Sequence, residues 1–240
     1  MGSNRLSPGG SSVPSVAKLL ELALDTVDPS SKVAEFWAPV VGGRAVVNDP
    51  SYPADVVGET EQQGICVCPV PEPKTVKNRV HLDIYARTVD ELVARGATVQ
   101  LPAAESGFAW TVMLDPEGNE FCAFLRDEPP AYRLHGIVID SADPEAQARW
   151  WGEAFGAEVS DNAQHGGGWW TLQHATDDPV LTWDFVPVPE PKTVKNRLHW
   201  DVRGTVEEFL DRGATRLWDT RGWVVLGDPE GNEFCVFPPT

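Results

Sequence analysis

Along this chain the hydrophobic pattern switches repeatedly between a period of two and a period of three to four. LLELALD at 19–25 alternates, with Leu20, Leu22 and Leu24 on one face and Glu21, Ala23 and Asp25 on the other, which predicts a strand. Asp28-Pro29 reads as a helix start, Asp at the cap and Pro at the first helical position. A helix through Val33, Phe36, Trp37 and Val40 follows, and Gly42-Gly43 ends it. Short strand-like runs come next at 45–47 and 64–68. The order then recurs. VHLDIYA at 80–86 is a strand with His81, Asp83 and Tyr85 on one face, 89–94 is a helix, and strands at 98–100, 108–114 and 120–124 complete the unit. DPEGN between the last two predicts a hairpin turn, Pro fixing φ, Gly and Asn taking positive φ.

The whole pattern is duplicated. PVPEPKTVKNR at 69–79 returns unchanged at 187–197, DPEGNEFC at 115–122 returns at 228–235, and RGAT at 95–98 returns at 212–215. Earlier pairs stay in register: Leu24-Asp25 with Ile139-Asp140, Asp28-Pro29 with Asp143-Pro144, Phe36-Trp37 with Trp150-Trp151. A period of about 115 residues is far too long for a solenoid, so each copy is expected to be a domain with its own core. The copies run over 15–125 and 132–240, joined by the polar, proline-containing linker 126–131 and preceded by a Ser/Gly/Pro-rich leader, 1–14, expected to be disordered. Strand–helix–strand–strand–strand, four times over, predicts an α+β fold: two tandem domains, each a curled, mostly antiparallel sheet with helices outside.

Composition narrows the function classes. Asp plus Glu total 36 against 19 Lys plus Arg, a formal charge of −17, which repels phosphate backbones and argues against a nucleic-acid partner. No run of about 18 apolar residues marks a membrane span, and the N-terminus lacks the apolar stretch of a secretory signal. Four cysteines in 240 residues do not make a disulfide scaffold, so the expected compartment is the cytoplasm.

The motifs D-x-x-D-P…F-W…G at 25–42, R-x-H-L-D at 79–83, R-G-A-T and D-P-E-G-N-E-F resemble the vicinal oxygen chelate superfamily, which contains glyoxalase I, the bleomycin-resistance proteins and the extradiol dioxygenases. The resemblance implies two tandem domains, each of two βαβββ modules closing into a cup. It also implies metal-ligand places on the first and last strand of each module. In the first copy these fall at Glu21, Cys66, His81 and Cys122, and in the second at Gly136, Asp184, His199 and Cys235, with His135 beside Gly136 on the opposite face. Cysteine stands where a metal-using member shows Glu, and Gly136 supplies no ligand. No cofactor is therefore expected; a divalent metal at Glu21, Cys66, His81 and Cys122 is the alternative, since carboxylate, thiolate and imidazole are all zinc ligands.

His81 and His199, each followed two residues on by Asp83 or Asp201, are the candidate catalytic groups or ligand contacts. Asp25 and Asp140 share their inward face. Eight of the ten tryptophans lie in the second copy. Trp183 and Trp200 alternate toward the helices. Trp169 or Trp170, with Trp223, is expected to stack on a planar or cationic guest, and Trp110 is a further candidate ligand contact. Lys74, Lys77, Arg79 and their repeats read as a solvated connector. Two functions compete: a metal-independent small-molecule binder of the drug-sequestering kind, and a lyase, isomerase or dioxygenase pairing His81 with Glu21 or His199 with Asp184. The chain is expected to be a monomeric pseudo-dimer or a homodimer.

Overall fold

A computed structural model describes residues 15–162 and 167–239; the expected leader lies outside them. Four βαβββ modules follow one another. The first holds β1 (Ala17–Thr26), α1 (Lys32–Val41), β2 (Arg44–Val46), β3 (Asp55–Val57) and β4 (Ile65–Pro69). The second holds β5 (Val80–Ala86), α2 (Val89–Val93), β6 (Thr98–Leu101), a one-turn α3 (Ala103–Ser106), β7 (Thr111–Leu114) and β8 (Glu120–Leu125). The third holds β9 (Leu134–Ser141), α4 (Pro144–Phe155), β10 (Glu158–Asp161), β11 (Trp170–Gln173) and β12 (Thr182–Pro187). The fourth holds β13 (Leu198–Gly204), α5 (Val206–Asp211), β14 (Thr215–Asp219), β15 (Val224–Gly227) and β16 (Glu233–Phe237). No helix among the described residues is long and apolar enough to cross a membrane.

The modules are those expected; their pairing is not. The first sheet runs β14-β15-β16-β13-β1-β4-β3-β2 and the second β10-β11-β12-β9-β5-β8-β7-β6. Each sheet thus joins one module from each copy, through the antiparallel seams β1–β13 and β5–β9. The expectation that each copy closes its own sheet around its own core is corrected. Duplicated modules present equivalent seam strands, so the chain itself offers either partner; the short 126–133 connection places the second module directly beside the third.

One continuous core lies between the two sheets. The helices α1 and α4 carry its largest side chains. Trp37 of α1 packs edge-on against Phe121 of the second sheet at 5.2 Å. Trp151 of α4 packs against Trp200 and Phe234 of the first sheet, at 5.2 and 5.0 Å, and lies 5.8 Å from Trp183 of the second. The expected placing of Trp183 and Trp200 under the helices holds, with both fully buried.

Within each copy the DPEGN hairpin acts as a clamp. Trp37 donates its indole N–H to Asp115 and Trp151 donates its own to Asp228. Glu117 accepts from Thr26 and from the Asp28 backbone, and Glu230 accepts from Ser141, Ala142 and Asp143. In this turn Gly118 and Gly231 have positive φ; Asn119 and Asn232 do not, contrary to expectation, and instead bond Asp115 and Asp228 through their side chains. The Asp-Pro helix start holds only in the second copy, where Asp143 caps Ala146 N–H and Pro144 opens α4. In the first copy α1 begins after Ser31, and Asp28 closes a turn onto Ser30. Gly42 ends α1 with φ 87°, and a Cβ there would lie 1.8 Å from the Ala131 carbonyl oxygen, so only glycine lets the linker pass.

Candidate functional site

Alternation along each strand puts its polar set on the sheet face turned away from the helices. Because the sheets join modules across copies, each such cup combines the two copies. The first cup gathers Glu21, Ala23 and Asp25 of β1, Cys66 and Cys68 of β4, His199, Asp201 and Arg203 of β13, and Cys235 of β16. The second gathers His81, Asp83 and Tyr85 of β5, Cys122 and Phe124 of β8, Gly136 and Asp140 of β9, and Asp184 of β12. The quartet Glu21, Cys66, His81 and Cys122 therefore never meets: the first two lie in one sheet and the last two in the other. The pairings His81 with Glu21 and His199 with Asp184 are excluded in the same way.

Two equivalent donor trios are assembled instead, His81–Asp83–Cys122 and His199–Asp201–Cys235, with one ligand atom from each residue lying within 4.8 Å of the others. Burial pushes both imidazoles down to about 3, Lys77 and Lys195 adding to the effect, so both rings are neutral. Burial, then the nearby Asp184, pushes Asp83 up to about 8. Burial pushes Asp201 up to about 6. Both thiols are held well above their ordinary range, by burial first and the neighbouring carboxylate second. Nδ1 of each His and Oδ1 of each Asp are buried without a hydrogen-bond partner. Imidazole, carboxylate and thiol in this arrangement fit a zinc-like ion by donor type.

Around the trios the cups differ. Glu21 of the first cup faces Asp201 and is pushed up to about 7 by burial, then by Asp201, Asp55 and Glu61. Its counterpart in the second cup is Gly136, where a Cβ would lie 3.1 Å from the Cβ of Asp83; the vacated space is taken by that aspartate. Asp184 accepts from Thr171 and, at 2.9 Å, from Thr182.

The second cup also carries a ladder of rings. The Arg126 guanidinium lies 3.7 Å from the Tyr85 centroid. Tyr85 stacks on His135 at 3.9 Å, His135 meets Phe124 edge-on at 4.8 Å, Phe124 stacks on Trp110 at 5.2 Å, and Trp110 on Phe108 at 4.8 Å. His135 was expected on the opposite face. The register shift between Asp83 and Ile84 inserts it as a bulge and turns it into the cup. Burial, then Arg126, pushes this ring down to about 4. Tyr85 lies on the His81 face as expected, though without an expected role; Phe108 and Phe124 were not among the expected contacts, and Phe124, two residues after Cys122 on the same strand face, is the signal that marks them.

The other tryptophans are placed differently. Trp170 packs against the core with the Arg149 guanidinium 5.1 Å from its ring, so it does not line the cup. Trp169 is half-buried just ahead of β11, whereas Trp223 stacks on Phe237 at 5.2 Å in the other sheet. The two cannot form one stacking site. Asp25 and Asp140 receive Lys195 and Lys77 across the copies.

The family model for the glyoxalase-like domain matches residues 21–124 and 136–237. No curated protein sequence matches the chain. Among solved structures, glyoxalase I from Zea mays is similar over 92% of this chain and 92% of its own, with 13% identity and a TM-score of 0.66. A putative dioxygenase from Bacillus subtilis subsp. subtilis str. 168 is similar over 92% of this chain and 84% of its own, with 16% identity and a TM-score of 0.58. At these identities the likeness is one of fold.

Proposed function

The chain belongs to the glyoxalase-like domain family of the vicinal oxygen chelate superfamily, and from that premise we propose that it is a small-molecule-binding protein whose working site is the second cup, where a planar aromatic cation or amine is held without a metal. The ring ladder from Tyr85 to Phe108 carries this reading, because stacking and cation–π attraction grow with continuous π surface, and this cup carries five rings in sequence where the other has the Trp223–Phe237 pair among the described residues. Asp83 and Asp184 supply acceptors for the guest's positive or N–H edge, and the acidic chain as a whole concentrates cations. The thiol of Cys122 already donates to Asp83, and the threonines hold Asp184, so part of this donor set is engaged within the protein. Such binding is of the drug-sequestering kind, in the cytoplasm.

The donor trios favour a second reading, a metal-assisted lyase, isomerase or dioxygenase. An ion held by His81, Asp83 and Cys122 would supply Lewis-acid polarisation of a bound oxygen. The chain's own part would be to orient the guest on the rings and to keep His81 neutral. Titration with N-methylquinolinium, followed by tryptophan quenching, separates the two. The first reading expects saturable binding that a chelator leaves unchanged. Binding lost on chelation and restored by zinc, or a stoichiometric metal lost in His81→Ala, replaces it with the second.

A further inference from the structure

The repeated segments 69–79 and 187–197 face each other across a cavity of about 860 Å3 that shares no residue with either donor trio or with the ring ladder. Much of their identity serves to brace the two sheets. Lys77 and Lys195 reach Asp140 and Asp25. Arg79 donates to the carbonyls of Glu190 and Asp140, and Arg197 to those of Glu72 and Asp25. Lys74 pairs with Glu120 at 2.9 Å. These contacts, expected to be a solvated connector, account for the lysines and arginines: each cation that lines the cavity is already engaged by a carboxylate or by backbone carbonyls.

Bracing does not account for Val76, Val194, Pro73 and Pro191. These also line the cavity, and the two valines are 43% and 42% exposed. Strand positions flanking the repeats have diverged, Cys68 against Val186 and Val80 against Leu198, whereas these apolar positions are the same on both sides. Opposed walls that keep identical apolar groups at exposed positions fit one body touched from both sides. The volume lies in the range of small-molecule sites. Cations that are already engaged offer little to an anionic ligand, which would be desolvated without a partner.

We propose that this cavity is a second ligand site, for a neutral, largely apolar small molecule clasped between Val76 and Val194. It shares with the cups only Asp25 and Asp140, whose carboxylates Lys195 and Lys77 already hold. The probe is N-phenyl-1-naphthylamine, a neutral apolar fluorophore, titrated into the full chain. The expected result is a saturable emission gain with one probe per chain, weakened about tenfold in Val76→Gln/Val194→Gln, and unchanged in Trp110→Ala. The single variants, each weakened about threefold, give the same answer where the double variant folds poorly by circular dichroism. Absence of a saturable gain, or a gain that survives both valine substitutions, overturns the proposal. So does a gain lost in Trp110→Ala, which would move the probe into the cup. Sedimentation provides the remaining outcome: a dimer that excludes the probe and dissociates in the valine variants would assign this face to a second copy.

Discussion

Place by place, the second cup carries Gly136 where the first carries Glu21, Asp184 where it carries Cys66, and Tyr85 where it carries Arg203. His135 bulges into the second cup at the place of Leu20, and Phe108 stands at the place of Arg221. The trio of His, Asp and Cys is the same in both. What has diverged is therefore the surround: thiols and acids in the first cup and a longer run of rings in the second, with Trp223–Phe237 the first cup's counterpart of Trp110–Phe124. Divergence also follows the cups rather than the copies, because each cup is assembled from half of each copy. The tryptophan-rich second copy puts Trp151, Trp183 and Trp200 in the shared core and leaves Trp218 and Trp223 exposed, and the aromatic cup takes most of its rings from the first.

The comparison breaks most sharply at the rings. Trp110→Ala/Phe124→Ala is expected to weaken N-methylquinolinium binding about a hundredfold, and Trp223→Ala/Phe237→Ala less than twofold. Equal losses would mean that both cups bind. The two arginines of the repeated segments form a second contrast. Arg197 bonds Glu117 at 2.9 Å besides its two carbonyls and has a side chain only 8% exposed, whereas Glu230, the counterpart of Glu117, holds its own equivalent corner with no bond to Arg79 among the described residues. Arg197→Ala should cost about 3 kcal/mol in urea unfolding and Arg79→Ala about 1. A reversed order would show that Glu117 adds nothing to the brace.

Much of this was legible in the chain. The βαβββ order followed from period switching at segments such as 19–25 and 80–86, and VHLDIYA was placed to the residue because its alternation is strict and both faces are occupied. Module pairing was hidden, since β1 and β9 carry equivalent seams and nothing local distinguishes β5 from β13 as a partner. That concealment split the expected Glu21–Cys66–His81–Cys122 quartet. His135 was misplaced because a single bulge inverts facing for one residue, and alternation is blind to it. The lysines of PVPEPKTVKNR looked solvated because their carboxylate partners lie far away in sequence.

Gly136 tests whether the cups are interconvertible. Gly136→Glu introduces the first cup's acid where the Cβ must already sit 3.1 Å from that of Asp83. Crowding and a third carboxylate beside Asp83 and Asp184 should cost about 1–3 kcal/mol of stability and reduce guest binding about tenfold. Unchanged unfolding midpoint and binding would show that Asp83 does not depend on the space left at Gly136.

The smallest effect reads the cups through pH. Carboxylates titrate near 4 in the unfolded chain, whereas burial holds Asp201 at about 6, Glu21 at about 7 and Asp83 at about 8. Between these limits the three carboxylates hold more protons in the native state, while His81, His199 and His135, pushed down to about 3 to 4, hold fewer and offset them below about 6.5, so net stability falls as pH rises chiefly from about 6.5 to about 8. Binding of a permanently charged aromatic cation runs the other way, because each ionisation adds an attractive charge beneath it. In the second cup that step belongs to Asp83, so affinity should rise about threefold between pH 7 and 9 and lie flat in Asp83→Asn. The first cup completes its ionisation lower, through Asp201 and then Glu21. A rise centred between pH 6 and 7 that survives Asp83→Asn and disappears in Glu21→Gln would therefore move the guest to the first cup, where the cation would sit over acids without the ring ladder.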